Sequence, residues 1–281
     1  VGVIGGTGLY EMEGLTDVEQ VRVDTPYGET SDDILSGRLG DVRLLFLPRH
    51  GRGHRLIPTV VPYRANVWAL KKLGAQWVIS VSAVGSLREG IRPGDVIVVD
   101  QFIDRTRLRR NTFFDEGVAG HVMFADPVCR SLAGRLLEAA QGVEGTVHPR
   151  GTYTVMEGPA FSTRAESHLY RSWGSDLIGM TNLPEAKLAR EAELCYATIA
   201  LATDWDCWRT ETDDVDVKEI IKILEANVAK AKEIVAAAVE DLPGRDECGC
   251  ATALEGALVT DPARIPEQTK KDLEPIIGRY L

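Results

Sequence analysis

Positive charge is in short supply: 32 Lys and Arg stand against 42 Asp and Glu in 281 residues, a net charge of −10. That disfavours a nucleic-acid partner, because a phosphate backbone demands an excess of cationic side chains. Long apolar runs are missing as well. None approaches the ~20 residues that a bilayer-spanning helix needs, so no membrane partner is expected, and no secretory leader is visible. Cysteine is sparse and irregular, with five residues at 129, 195, 207, 248 and 250. A disulfide-built secreted scaffold is thereby excluded and a cytoplasmic location expected. As a zinc site, Cys248-Gly249-Cys250 lacks a second pair or a nearby His, so no metal is expected; a disulfide there would be favoured only in a hyperthermophile. Internal repeats and low-complexity linkers are also absent.

What is present is ordinary globular composition, 44% hydrophobic and 26% charged, in a chain long enough for one large core or two smaller ones. Val/Ile-rich runs at 1–5, 42–47, 77–85, 94–103 and 195–204 lack strict alternation and read as strands covered on both faces. Helical spacing fills 59–73, 127–142, 164–173 and 184–194. A longer helix starts at Asp216, where Asp216 and Glu219 can form a capping box, and its stripe from Val217 runs on to about Leu242. Strands alternating with helices define an α/β class with a mainly parallel sheet, and ligands of such sheets collect in the loops at the strand ends.

The loops therefore carry the chemistry. After the first strand come Gly5, Gly6, Thr7 and Gly8. The dinucleotide fingerprint fails because Glu11 replaces its third glycine, and the P-loop fails because no G-K-[ST] follows. What survives is a nest of backbone N–H groups plus the Thr7 hydroxyl, suited to a small anion, or else a plain tight turn. The strand at 42–47 empties into PRHGRGHR, where Arg49, His50, Arg52, His54 and Arg55 form the local basic cluster that an anionic ligand would need. Ser82, the Ala83 N–H and Gly85 offer small donors at the end of the next strand, 77–85. In GPAFSTRAE, Ser162 and Thr163 precede a helix whose free N–H groups favour an anion, with Ser162 as a plain N-cap the alternative. In ATDWDCW, Asp204 and Asp206 lie two apart, so both carboxylates of an extended segment share a face, with Trp205 and Trp208 lowering the local dielectric. A carboxyl so placed has its pKa raised and can donate a proton to a leaving group; a glycosidase-like pair or simple surface acids remain open.

The blocks GGTGL, RHGRGH, SAVGSLRE, VDQFIDRT, EGPAFSTRAES, GMTNLPEAKLARE and ATDWDCW occur in an order that resembles the purine nucleoside phosphorylase superfamily of trimeric type, most closely its methylthioadenosine phosphorylase branch. The resemblance runs from residue 2 to about residue 240. It implies a single domain over 1–281, a central mixed, mainly parallel β-sheet flanked by helices, and residues 243–281 as a C-terminal extension packed on it. It implies phosphorolysis of 5′-methylthioadenosine to adenine and 5-methylthioribose 1-phosphate, with phosphate as co-substrate and no organic cofactor or metal. Thr7, Arg49, His50, Ser82, Ala83 and Ser162 match the phosphate pocket, with His50 and Asp204 the catalytic pair. Met180 matches the position on the ribose hydroxyls, Thr181 the position beside it, and Phe161 the residue packed on the purine. Asp204 corresponds to the acid at purine N7 and Asp206 faces the exocyclic amino group. Val217, Ile220 and Ile221 match the wall of the 5′-methylthio pocket. His121 matches a residue lent by a neighbouring subunit, so a homotrimer, or a hexamer of two trimers, is implied. Ser82 stands where a Thr is frequent, and Asn182 departs from a small or hydroxylated residue at what is read as the purine rim. Thermophilic members imply disulfides Cys129–Cys195 and Cys248–Cys250. Alternatives are a broader purine nucleoside or methylthioinosine phosphorylase, a hydrolytic nucleosidase, a non-enzymatic nucleotide binder, and a histidine phosphatase, whose signature is also RHG.

Overall fold

Continuous apolar runs become the middle of the sheet. A computed structural model describes residues 1–6, 8–9, 11–209 and 217–281, with the side chains of 217–222 and 224 excepted. The strands are β1 (Gly2–Gly5), β2 (Thr16–Val21), β3 (Ile34–Leu39), β4 (Val42–Pro48), β5 (Trp77–Ser86), β6 (Val96–Val98), β7 (Gln101–Arg105), β8 (Val147–His148), β9 (Thr152–Met156), β10 (Leu177–Gly179) and β11 (Cys195–Asp204). The helices are α1 (Tyr63–Lys72), α2 (Arg130–Ala140), α3 (Arg164–Ser172), α4 (Asn182–Glu191), α5 (Val217–Val239), α6 (Glu267–Asp272) and α7 (Glu274–Ile277), with short 3-10 turns between some of them. The Asp216 cap lies outside the described residues.

One path through the sheet runs β2-β3-β4-β1-β5-β10-β9-β7, while β11 joins β5 and carries β6 and then β8. The pairs of β1 with β4 and β5, β5 with β11, β9 with β7 and β10, and β6 with β8 are parallel; the others are antiparallel. The expected mixed, mainly parallel α/β fold is met. The run at 94–103 is not one strand. It breaks at Asp100, whose carboxylate accepts the Gly151 N–H at 3.0 Å, so β6 stays beside β11 and β7 crosses to β9.

Burial on both faces explains the weak alternation. Alternate residues of β11 enter different cores: Tyr196, Ala200 and Ala202 join Leu70, Leu183 and Leu188 under α1 and α4. Cys195, Ala197, Ile199 and Leu201 join Leu132, Leu136, Ile234 and Val235 under α2 and α5. Residues of the C-terminal segment, among them Leu254, Leu273, Ile276 and Ile277, pack into the first core. There the Trp68 indole donates to the Asp272 carbonyl at 2.7 Å.

Candidate functional site

Four strands bring their carboxyl ends together. Gly5 of β1 pairs with Pro48 of β4, β5 lies between β1 and β11, and Asp204 of β11 pairs with Gly85 of β5. Because β10 runs antiparallel to β5, the chain beyond Gly179 returns along it, and the Thr181 hydroxyl meets that of Ser82 at 3.1 Å. The loops after β1, β4, β10 and β11 thus converge beside the second half of β5. Thr7 lies outside the described residues.

Arg49 does not extend a free fork. It is 2% exposed, and Glu185 takes it with both oxygens, Nε to Oε2 at 2.7 Å and Nη2 to Oε1 at 3.0 Å. Nη2 also donates to the Ser80 hydroxyl at 2.7 Å and the Ile4 carbonyl at 3.4 Å, and Nη1 to the Val81 carbonyl at 3.1 Å. One Nη1 hydrogen is left without an acceptor among the described residues. Glu185 and Ser80 were not singled out in the sequence. Glu185 sits within GMTNLPEAKLARE, among other charged residues of α4, so its type alone does not mark it out. A buried charge requires a counter-charge.

His50 presents an acceptor, not the cationic donor that its place in a basic cluster suggests. Its Nδ1 lies 2.8 Å from the Leu56 carbonyl, which can only accept, so Nδ1 carries the proton. Burial, and then the Arg49 charge, push the ring's pKa down to about 4. A neutral ring of that tautomer presents the Nε2 lone pair outward. His54, with φ of +54°, stacks on it at 4.2 Å between centroids.

Ser82 is buried and its hydroxyl also meets the Tyr153 hydroxyl at 3.2 Å, while Ala83 beside it is exposed. Ser162 is not the N-cap of α3. Thr163 takes that place in a full capping box with Glu166, which leaves Ser162 one residue outside the helix. Arg109, another residue the sequence reading passed over, fixes the two neighbouring loops. It donates to the carbonyls of Met180 at 2.6 Å, Leu183 at 2.7 Å and Glu157 at 2.8 Å, and its Nε pairs with the Glu157 carboxylate at 3.0 Å. Gly158 has φ of +68°, and a Cβ there would meet the Met180 sulfur at 2.5 Å, so the two loops touch through a glycine.

Asp204 and Asp206 do not share the face of one strand. The register shifts at the end of β11, and Asp206 turns at a φ of +50°, so its N–H donates to Asp204 Oδ1 at 2.7 Å. The Thr203 hydroxyl donates to the other oxygen at 2.8 Å. Gly85 makes room: its missing Cβ would lie 3.0 Å from Asp204 Oδ1. Burial raises the Asp204 carboxyl above its ordinary range against these two donors. Burial raises Asp206 too, and the Asp204 charge pushes the same way. The Ser167 hydroxyl, the Cys207 N–H and the Ser162 hydroxyl favour the charged form against that burial. Trp208, buried, donates its indole N–H to the Ser86 carbonyl at 2.8 Å and stands edge-on to Trp205.

Phe161 is 59% exposed. His121 is exposed too, on a loop that its N–H ties to the Ala257 carbonyl; none of the described bonds joins it to Asp204 or His50. Val217, Ile220 and Ile221 lie in α5, with side chains outside the described ones. Asn182 is corrected: it is fully buried, and its amide donates to the hydroxyls of Tyr196 at 2.8 Å and Thr198 at 2.5 Å, in the core and not on a ligand rim.

Known proteins share this sheet and these converging loops. The Phosphorylase superfamily profile matches residues 1–240. The chain is 60% identical to the S-methyl-5′-thioadenosine phosphorylase of Geobacter sulfurreducens, covering 100% of this chain and 99% of that one. It is 52% identical to the enzyme of the same name from Thermosynechococcus vestitus, covering 100% and 99%. A crystal structure of a methylthioadenosine phosphorylase from an Antarctic soil metagenomic library superposes with a TM-score of 0.93 at 48% identity, over 98% of this chain and 97% of that one. The methylthioadenosine phosphorylase of Schistosoma mansoni in complex with tubercidin gives 0.82 at 36% identity, over 91% and 97%. The chain belongs to the S-methyl-5′-thioadenosine phosphorylase family of the phosphorylase superfamily.

Proposed function

We propose that this protein splits 5′-methylthioadenosine with inorganic phosphate, giving adenine and 5-methylthioribose 1-phosphate. The observation that carries the reading is the buried Asp204 carboxyl, raised in pKa, at the end of the strand that pairs with the Ser82 strand β5. Departure of a purine leaves an oxocarbenium-like sugar and puts negative charge on the base. A protonated Asp204 stabilises that base at N7, a contribution of ~10²–10⁴-fold. Asp206, whose N–H holds Asp204 in place, accepts from the exocyclic amino group of adenine with its carboxylate. A 6-oxopurine would present an acceptor there, which disfavours the broader purine nucleoside and methylthioinosine reading.

Phosphate stabilises the cationic sugar and attacks C1′; positioning and electrostatics carry most of the barrier reduction. Thr7, the remaining Arg49 Nη1–H, Ser82, the Ala83 N–H and Ser162 are its donors, and His50 Nε2 accepts from a protonated phosphate oxygen. Met180 and Thr181 hold the ribose, Phe161 covers the purine, and Val217, Ile220 and Ile221 line the methylthio pocket. The exposure of Phe161 and His121 fits a homotrimer, or two stacked trimers, in which a neighbour's His121 closes each site. Such an enzyme would serve purine and methionine salvage in the cytoplasm. A histidine phosphatase is the weaker reading of RHG, since it gives Asp204 and Asp206 no work. Turnover of methylthioadenosine against methylthioinosine tests the base assignment: the adenine nucleoside should win, and preference for the inosine form would overturn it.

A further inference from the structure

Cys248-Gly249-Cys250 lacks a second cysteine pair only along the sequence. Cys129 stands at the N-cap of α2, Cys195 opens β11, and Cys248 and Cys250 sit at the 3-10 turn Gly249–Thr252 of the C-terminal segment. The fold brings all four together. Their sulfurs lie within 4.8 Å of one another, and the Cys195 and Cys248 sulfurs are 3.5 Å apart. All are free thiols; Cys129, Cys195 and Cys250 are buried and Cys248 is partly open. The pairs Cys129–Cys195 and Cys248–Cys250 expected from thermophilic relatives are not bonded.

We propose that Cys129, Cys195, Cys248 and Cys250 form a tetrathiolate site for one structural zinc ion that clips the C-terminal segment to the core. Zinc–sulfur bonds of about 2.3 Å in a tetrahedron place the sulfurs about 3.8 Å apart, so shifts of about 1 Å or less complete the site. The donors are all soft sulfur, which selects a thiophilic ion over magnesium or calcium. Four protein ligands leave no open position for a substrate, so the ion's work is structural. Binding is balanced without a redox step: one Zn²⁺ displaces four protons from four thiols and leaves a centre of charge −2. Positive surroundings offset that charge. Cys129 stands at the N-cap of α2, the positive end of the helix dipole.

The position explains what the ion would hold. Two ligands belong to the α/β core, at residues 129 and 195, and two to the segment whose Leu254, Leu273 and Ile276 pack beside Trp68 and Leu70. Closing chain segments this far apart with one ion converts binding energy into folding energy.

The test is metal analysis of the whole chain, produced in zinc-replete medium and purified with a thiol reductant and no chelator. Native mass spectrometry and elemental analysis should give close to one zinc per chain, with Cys207 alkylated ahead of the other four. Cys248→Ser, at the most open ligand, should lower occupancy more than about tenfold, whereas Cys207→Ser should keep it. Wild-type stoichiometry alone decides if the Cys248 variant fails to fold. Protein without zinc and with four alkylatable thiols would overturn the proposal, and so would an intact mass showing two disulfides.

Discussion

Glu185 and Arg49, 136 residues apart in the chain, meet in a buried two-pronged ion pair. The pair positions the β4 loop against α4, and Ser80 joins it from β5 by donating to Glu185 Oε1 at 2.8 Å. Replacing Glu185 with Gln leaves the guanidinium charge buried without a counter-charge. Breaking such a pair costs about 3–5 kcal/mol. The melting temperature of Glu185→Gln should fall by several degrees or more, and KM for phosphate should rise. A variant as stable as the wild type would show that Arg49 is held by its other acceptors.

Asp204→Asn removes the proton donor while keeping the side chain's size. We expect kcat with methylthioadenosine to fall ~10²–10⁴-fold, with a smaller change in KM. Steady-state rates with the purified variant check this, and relative activity toward 6-oxopurine nucleosides should rise.

Arg109 shapes the site from behind, through the carbonyls of Met180, Leu183 and Glu157. Lys carries the charge but lacks the planar fork. Arg109→Lys should therefore raise KM for the nucleoside by about tenfold, about 1.4 kcal/mol, while KM for phosphate changes less.

His50 gives a pH dependence with a definite sign. Its folded pKa of about 4 lies below the ordinary 6.5, so the unfolded chain binds the extra proton first as pH falls. Its contribution to stability is present above pH 6.5 and lost between there and about pH 4. Glu191 slopes the other way: burial raises it to about 7, so its contribution is full below the ordinary 4.5 and lost as pH rises toward 7. The difference between wild-type and His50→Asn unfolding curves isolates the first term. The variant should lose less stability than the wild type between pH 6.5 and 4.

Much of this was legible along the chain where neighbours decide structure. The strands β1, β4, β5 and β11 are mainly apolar runs, and the helices keep their apolar stripes. The break at Asp100 was hidden because apolar residues continue on both sides of it, and only the Gly151 partner reveals the turn. Short β9 and β10 carry too little pattern to stand out. The basic loop and the two carboxyls were visible as residue types, but their geometry was not. Asp206 leaves the strand through a left-handed residue, and Glu185 answers Arg49 across distant sequence. Asn182 follows Met180 and Thr181 along the chain and so reads as part of the purine rim, whereas the hydroxyls of Tyr196 and Thr198 hold it in the core.

The central claim is that inorganic phosphate is the nucleophile at C1′, received by the loops around His50, Arg49 and Ser82. Adenine release from methylthioadenosine, followed with and without phosphate, tests it most directly. Release should depend on phosphate and yield 5-methylthioribose 1-phosphate in equal amount. Adenine appearing equally fast in phosphate-free buffer, with free methylthioribose as the other product, would contradict it and make the enzyme a hydrolase.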